Sequence, residues 1–226
     1  KNLLLFVPLL TAHAFSQQAF ASVVLGFIAF GLVASGTYLL NDLLDLASDR
    51  RHPRKSSRPF AAGNLSPGLG CLATVLLVLS GLGLAVAVSA HFFLVLLGYL
   101  ALTLSYSLYF KTYVLLDVLL LAGLYTTRII AGAVAIDVTI SSWLLLFSTF
   151  VFLSLALVKR CTELEVMLEQ TKVAASGRDY RVTDRFVLGA MGVAAGYISV
   201  LVLALYVDDP EVQARYSHPY FLSALC

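Results

Sequence analysis

Charged residues are scarce in this chain of 226 residues: Asp, Glu, Lys and Arg make up 12% of it, and hydrophobic residues make up 60%. Soluble domains carry about twice that share of charge. The apolar runs are continuous rather than alternating, and several reach the roughly 20 residues that cross a bilayer. This composition disfavours a soluble domain and a membrane β-barrel. It predicts an all-α, polytopic transmembrane helical bundle.

Cysteine is scarce as well. The three residues, Cys71, Cys161 and Cys226, are odd in number and widely spaced. They therefore predict neither a disulfide framework nor a cysteine metal site.

The two ends of the chain interrupt apolar runs. The opening KNLLLFVPLLTAHAFS is similar to a signal peptide, but the last turns of a truncated first helix explain its 13 apolar residues better. The chain stops at FLSALC, where a new apolar run begins. We therefore expect residues 1–226 to form a single polytopic membrane domain that is truncated at both ends.

The apolar runs predict seven spanning helices and the start of an eighth. They cover roughly residues 3–16 (partial), 19–46, 68–89, 91–110, 113–136, 140–163 and 186–207, with the eighth from near 219. Two longer polar links are predicted, at about 47–67 and 160–185.

The basic residues follow the topology that these helices predict. Thirteen of the fifteen Lys and Arg lie on one predicted face: Lys1, Lys111 and eleven residues in or next to the two long links. The exceptions are Arg128, inside a helix, and Arg215, in an opposite link. The positive-inside rule makes the basic face cytoplasmic. We expect a multi-pass protein of the cell (inner) membrane whose active site faces the cytoplasm.

Three aspartates lie at the end of the second predicted helix and just beyond it. At 100° per residue, Asp42, Asp45 and Asp49 lie at about 0°, 300° and 340°, within one stripe, and Asn41 flanks them. Ionised carboxylates this close repel one another near hydrocarbon, and a divalent cation removes the repulsion. Oxygen ligands of this kind suit Mg²⁺. In the competing interpretation, these acids only neutralise neighbouring bases in a solvated loop.

The basic run that follows from Arg50 suits a pyrophosphate, since Arg offers bidentate contacts and Lys a point charge. Further polar side chains lie on the same predicted face, although each is also typical of a helix end. They are Lys55, Arg58, Tyr106, Lys111, Asp117, Lys159, Arg160, Glu163, Tyr180 and Asp184. Whether Asp179, Asp184 and Glu163 form a second metal site is open. So is the role of Arg128, which is either structural or part of a substrate cavity.

The chain resembles the UbiA superfamily of intramembrane prenyltransferases. The resemblance rests on Asn41-Asp42-x-x-Asp45-x-x-x-Asp49-Arg50, then Arg58-Pro59 and Gly63. It implies a bundle of nine helices in the full protein, about seven to eight of them here, with Mg²⁺ and a diphosphate on two Asp-rich motifs. The second motif, Asp-x-x-Tyr-Ala-x-x-Asp, keeps Tyr180 and Asp184 but has Gly177 and Arg181 at the first Asp and Ala positions.

Within that superfamily, DRRHPRKSSRP, YSLYFK, TRIIAGAVA and SWLLLF are most similar to the decaprenyl-phosphate phosphoribosyltransferase branch. The branch implies transfer of 5-phosphoribose from phosphoribosyl pyrophosphate to a polyprenyl (decaprenyl) phosphate, for the lipid-linked pentose of cell-wall arabinan. The implied catalytic residues are Asn41, Asp42, Asp45 and Asp49, the three aspartates holding Mg²⁺. The implied substrate-binding residues are Lys55, Arg58, Tyr106, Lys111, Lys159, Arg160, Tyr180 and Asp184. The expected partners are the two substrates and the lipid bilayer, with no nucleic acid; a homo-oligomer is left open.

Two other functions fit parts of the pattern. A prenyltransferase would use the same aspartates to move a prenyl group from a prenyl diphosphate to an aromatic or lipid acceptor; the altered second motif weighs against it. A transporter with an acidic cation site would place its charges near the membrane midplane, whereas here they gather at one edge.

Overall fold

The computed structural model describes residues 1–51, 55–169, 179–209 and 212. Within these ranges the chain forms eight α-helices. They are α1 Val7–Thr11, α2 Gln17–Leu44, α3 Leu46–Asp49, α4 Pro67–Val88, α5 Ala90–Leu108, α6 Leu116–Ala135, α7 Ser142–Glu169 and α8 Arg185–Asp208. Short 3₁₀ turns occur at Asn2–Phe6, Lys55–Ser57, Phe110–Thr112 and Val182–Asp184. The predicted all-α fold is confirmed.

Six described helices, α2 and α4 to α8, are long and apolar enough to cross a membrane. The partial first helix predicted at 3–16 is a 3₁₀ turn followed by the short α1, and His13, with a φ of 51°, lies just beyond it. The start of a further helix predicted near 219 lies outside the described residues.

The chain divides into two compact units. The first contains Lys1–Ser107 and Thr127–Thr139, and the second contains Leu108–Thr126 and the described residues from Ile140 onward. In the first unit α2 packs mainly against α4, and in the second α7 packs mainly against α8.

Small residues let α2 and α4 approach closely. A Cβ on Gly81 would lie 2.7 Å from the Ala29 carbonyl oxygen and 2.7 Å from a Val33 methyl group, and a Cβ on Gly36 would lie 2.8 Å from Val78. Glycines at such positions bring helix backbones together in membranes, where lipid removes most of the hydrophobic drive for association. This contact fixes the helix that carries the aspartates.

The end of α2 differs from the prediction. A continuous helix was expected over 19–46, but the structure interrupts it at Asp45 before α3 begins. The Asn41 side-chain amide donates a hydrogen bond to the Asp45 carboxylate, at 3.2 Å. The backbone stays nearly helical beyond the interruption, because the Asp49 N–H donates a hydrogen bond to the Asp45 carbonyl, at 2.8 Å.

The sixth predicted helix, 140–163, is longer than expected. α7 continues to Glu169, so the polar link predicted to begin at 160 starts later, and its residues 170–178 lie outside the described ranges. The cause is packing: Leu157 and Leu164, seven residues apart on one face, are both buried in the core of the second unit with Leu188 of α8.

We predict that Gly81→Ala destabilises the protein whereas Gly83→Ala, on the same helix, does not. A Cβ on Gly81 meets backbone, and overpacking of this kind costs about 1–3 kcal/mol; a Cβ on Gly83 meets nothing within 4 Å. Thermal unfolding of both variants in detergent would measure the difference. Equal midpoints would mean that the α2–α4 contact is not as close as described.

Candidate active site

Two aspartates and one arginine meet where α2 and α3 end. A single nitrogen of Arg58, Nη1, lies 2.8 Å from Asp42 Oδ1 and 2.8 Å from Asp49 Oδ2. Lys55 Nζ lies 3.9 Å from the other Asp49 oxygen. The Asp49 side chain is 3% exposed and the Arg58 side chain is 36% exposed. The arginine therefore neutralises a buried carboxylate while its own outer part faces the surroundings.

Asp45 has its own support. It accepts the side-chain hydrogen bond of Asn41 described above. The structure thus places Asn41, Asp42, Asp45, Asp49 and Arg58 at one helix end.

A buried phenylalanine anchors the turn that carries Arg58. Phe60 is 3% exposed, and its ring lies over Gly70 of α4, where a Cβ would come within 2.4 Å of it. Gly63 has a φ of 79°, which favours glycine, and its N–H donates to the Phe60 carbonyl. Sequence reasoning missed Phe60; the signal was a large aromatic inside an otherwise polar link.

The carboxylates have the donor chemistry that a divalent cation takes, but Arg58 lies between two of them in this structure. Asp42 and Asp49 present carboxylate oxygens on two sides of one cationic nitrogen, and carboxylates with substrate oxygens and water are the ligands that Mg²⁺ takes. In the part of the chain that the structure describes, no group of three or more His, Cys, Asp or Glu is arranged as a metal site. The positive charge between these two aspartates is instead the Arg58 guanidinium.

A second charged cluster lies in the other unit. Arg160 of α7 has Nη2 2.6 Å from Asp117 Oδ2, and its Nη1 bonds to Glu163. The Tyr180 hydroxyl donates to the second Asp117 oxygen, and the Tyr180 ring lies under the guanidinium, 5.4 Å away. Arg160, Asp117 and Tyr180 are nearly or fully buried. Sequence reasoning noted Asp117 and Glu163 but did not assign them to Arg160.

The Tyr180 phenol is held in its protonated form. Burial raises the pKa of this phenol well above its ordinary value of 10, and the hydrogen bond to Asp117 raises the pKa further. The phenol oxygen also accepts a hydrogen bond from the Leu115 N–H, at 2.9 Å. The Tyr180 hydroxyl therefore both donates and accepts a hydrogen bond in the interior of its unit.

The remaining predicted substrate-binding residues are less enclosed. Tyr106 and Lys111 are half-buried near the end of α5, and Lys159 is exposed on α7. Asp184 accepts a hydrogen bond from the Arg181 N–H, at 2.8 Å, and so caps its own turn. Tyr106 belongs to the first unit with the aspartates, whereas Lys111, Lys159 and Asp184 belong to the second.

The structure gives Arg128 a structural environment. It is 4% exposed, donates to Asn2 Oδ1 and to the Tyr99 hydroxyl, both at 3.1 Å, and lies about 5 Å from the rings of Phe30 and Tyr99. Of the two roles left open, this environment favours the structural one. The aromatic rings and neutral oxygens solvate the cation inside the helix bundle.

These features define a polytopic helical membrane protein with an aspartate–arginine cluster at the end of one apolar helix. The chain belongs to the UbiA prenyltransferase family, whose sequence model matches residues 3–207. It is therefore a multi-pass membrane protein of a family of transferases.

Two curated relatives cover almost the whole chain. The uncharacterized protein y4nM of Sinorhizobium fredii is 39% identical over 98% of this chain, which spans 43% of that protein's length. The nodulation protein NoeC of Azorhizobium caulinodans is 38% identical over 100% of this chain and 74% of its own length. The decaprenyl-phosphate phosphoribosyltransferase of Corynebacterium glutamicum is 34% identical over 87% of this chain and 62% of its own length.

Solved structures agree on the fold. A UbiA homologue from Archaeoglobus fulgidus, solved bound to DMAPP and Mg²⁺, superposes with a TM-score of 0.76 over 99% of this chain and 80% of its own, at 18% identity. At that identity the match establishes the shared fold alone.

We predict that Arg58→Gln makes folding depend on a divalent cation. Without the guanidinium, Asp42 and buried Asp49 repel each other, and leaving a buried charge poorly paired costs about 1–3 kcal/mol. In the presence of a chelator, Arg58→Gln should unfold at a lower temperature than the wild type. Added Mg²⁺ should raise the thermal unfolding midpoint of Arg58→Gln by more than it raises that of the wild type. Arg51→Gln, an exposed arginine on the same link, is the matched control. Equal Mg²⁺ shifts in all three proteins would contradict a cation site at Asp42 and Asp49.

We predict a pH-dependent contribution of Tyr180 to stability. Because the folded-state pKa lies above the unfolded value, the contribution is complete below about pH 10 and is lost as the pH rises through the folded pKa. The stability difference between wild type and Tyr180→Phe should therefore narrow above about pH 10. Unfolding midpoints measured across that range would test it, with the exposed Tyr197→Phe as control. A difference that does not change with pH would contradict the buried, protonated phenol.

Proposed function

We propose that this chain is the membrane part of a phosphoribosyltransferase that moves 5-phosphoribose from phosphoribosyl pyrophosphate to a polyprenyl phosphate. The observation that carries the proposal is the Arg58 bridge between Asp42 and Asp49, a cation held over paired carboxylates at a helix end. The 34% identity to decaprenyl-phosphate phosphoribosyltransferases supports the choice of substrates. The proposed place is the inner membrane, with the site toward the cytoplasm.

The aspartate–arginine cluster suits the donor. Asp42, Asp45 and Asp49 would hold Mg²⁺, which when bound supplies positive charge to the pyrophosphate. Arg58 and Lys55 would contact the phosphate oxygens directly, and Lys111, also predicted to bind substrate, would contact substrate phosphate as well. Arg58 is suited to this because it is the more exposed member of its ion pairs with Asp42 and Asp49 and can exchange a carboxylate for a phosphate at little desolvation cost.

The chemistry needs charge stabilisation rather than a base. The bond between ribose C1 and the pyrophosphate oxygen breaks, and both of its electrons leave with pyrophosphate. An oxygen of the lipid phosphate, already ionised, forms the new bond to C1, so no proton has to be removed. Preorganised cations stabilise the charge that develops on the leaving group. The apolar spanning helices would accommodate the polyprenyl chain.

A prenyltransferase is the second candidate, because similar folds have been solved with DMAPP or GPP and Mg²⁺. The second Asp-rich motif argues against it. Tyr180 is enclosed and bonded to Asp117, and the Asp184 carboxylate caps its own turn at Arg181. Side chains engaged in this way are poorly placed to hold a second metal and a prenyl diphosphate.

We predict that the full-length protein in lipid nanodiscs incorporates labelled phosphoribose into polyprenyl phosphate only with Mg²⁺. Asp42→Asn should lower kcat/KM on the order of 10²-fold, because it removes charge from the metal and arginine site. Asp137→Asn, the same change at an exposed aspartate, should match the wild type. Transfer of a prenyl group to an aromatic acceptor, without phosphoribose transfer, would overturn the assignment. Cation flux without any transfer would favour a transporter.

A further inference from the structure

The link between α5 and α6 contains a strained residue. Leu115 has a φ of 65°, in the left-handed region that bulky L-residues avoid. Such a conformation persists only where the surroundings determine it, and it often marks a functional segment. Leu115 lies directly before α6 and 4 residues after Lys111, which the proposed function assigns to substrate phosphate.

One side chain holds this strained turn from both sides. The Tyr180 oxygen accepts the Leu115 N–H at 2.9 Å, and its hydroxyl donates to Asp117, two residues further on. Asp179, the residue before Tyr180, adds a third contact, since its N–H donates to the Thr112 carbonyl at 3.1 Å. The segment Asp179–Tyr180 therefore pins residues 112, 115 and 117.

The anchor is itself rigid. Asp117 is 0% exposed, and its second oxygen is bound by Arg160 at 2.6 Å. Tyr180 is 0% exposed and packs with Val118 and Leu157 in the core of its unit. Because packing in the core fixes the phenol, its hydrogen bond to the Leu115 N–H holds the link in one position relative to the core.

We propose that Tyr180 is a positioning residue that fixes the α5–α6 link so that Lys111 is held ready for substrate phosphate. The proposal rests on the proposed function for the role of Lys111. It assigns Tyr180 a role through the backbone of the link rather than through contact with substrate.

A double-mutant cycle on the full-length protein tests the proposal, with inorganic pyrophosphate as the probe. Tyr180→Phe keeps the ring but removes both hydrogen bonds, and it should weaken pyrophosphate binding about fivefold. Lys111→Ala should weaken binding too. In the double variant the effect of Tyr180→Phe should disappear, because it acts through the lysine. Tyr197→Phe is the matched control, since Tyr197 is 73% exposed.

Hydrogen exchange gives a readout that does not depend on activity. In Tyr180→Phe, amides of residues 108–117 should exchange faster than in the wild type, while those of 90–107 should not change. If Tyr180→Phe does not fold, the wild type gives the readout: the Leu115 N–H, which donates to Tyr180, and the Asp179 N–H, which donates to Thr112, should exchange as slowly as amides in the core of this unit. Fast exchange of both would overturn the proposal.

Three other results would overturn the proposal. These are faster exchange with unchanged pyrophosphate affinity, additive effects of Tyr180→Phe and Lys111→Ala, or a wild-type protein that does not bind pyrophosphate. Failure of the proposed function is distinguishable: the protein would then bind pyrophosphate with the expected cycle but would not transfer phosphoribose.

Discussion

Every charge placed among apolar helices needs a counter-charge or a polar partner, and this constraint organises the described structure. Moving an ion out of water costs several kcal/mol even after relaxation, so unpaired charges are removed from such positions. Arg58 is paired with Asp42 and Asp49, and Arg160 with Asp117. The Arg58 pairs attach a polar link to the ends of α2 and α3, and the Arg160 pair joins α7 to the start of α6.

The two arginine clusters solve the same electrostatic problem with different consequences. The Arg58 side chain is 36% exposed, whereas that of Arg160 is 3% exposed. An exposed guanidinium can leave one anion for another, because water compensates each intermediate arrangement. A buried guanidinium cannot, since breaking a buried pair leaves an uncompensated charge that costs about 3–5 kcal/mol. This difference favours Arg58 for handling substrate phosphate and Arg160 for holding its unit together, although Arg160 was also expected to bind substrate.

Local pattern predicted much of this molecule, and long-range pairing accounts for the rest. Continuous apolar runs predicted the spanning helices, and the spacing of Asp42, Asp45 and Asp49 predicted a shared face. The predicted end of α7 was too early, because Arg160 and Glu163 are charged residues typical of a solvated loop. Only the structure shows that Arg160 pairs with Asp117, 43 residues away. The enclosure of Tyr180 was not predictable for the same reason: its partner Asp117 is 63 residues away. No local pattern encodes such a contact.

The second Asp-rich motif departs from the pattern that the resemblance implies. The chain keeps Tyr180 and Asp184 but has Gly177 and Arg181 where the resemblance leads us to expect Asp and Ala. Without the first carboxylate the motif lacks one of the two acids that a second metal would need. The retained tyrosine is engaged in the interior, and the retained aspartate caps a turn. We infer that these two residues serve the internal packing and turn structure of the second unit rather than metal binding.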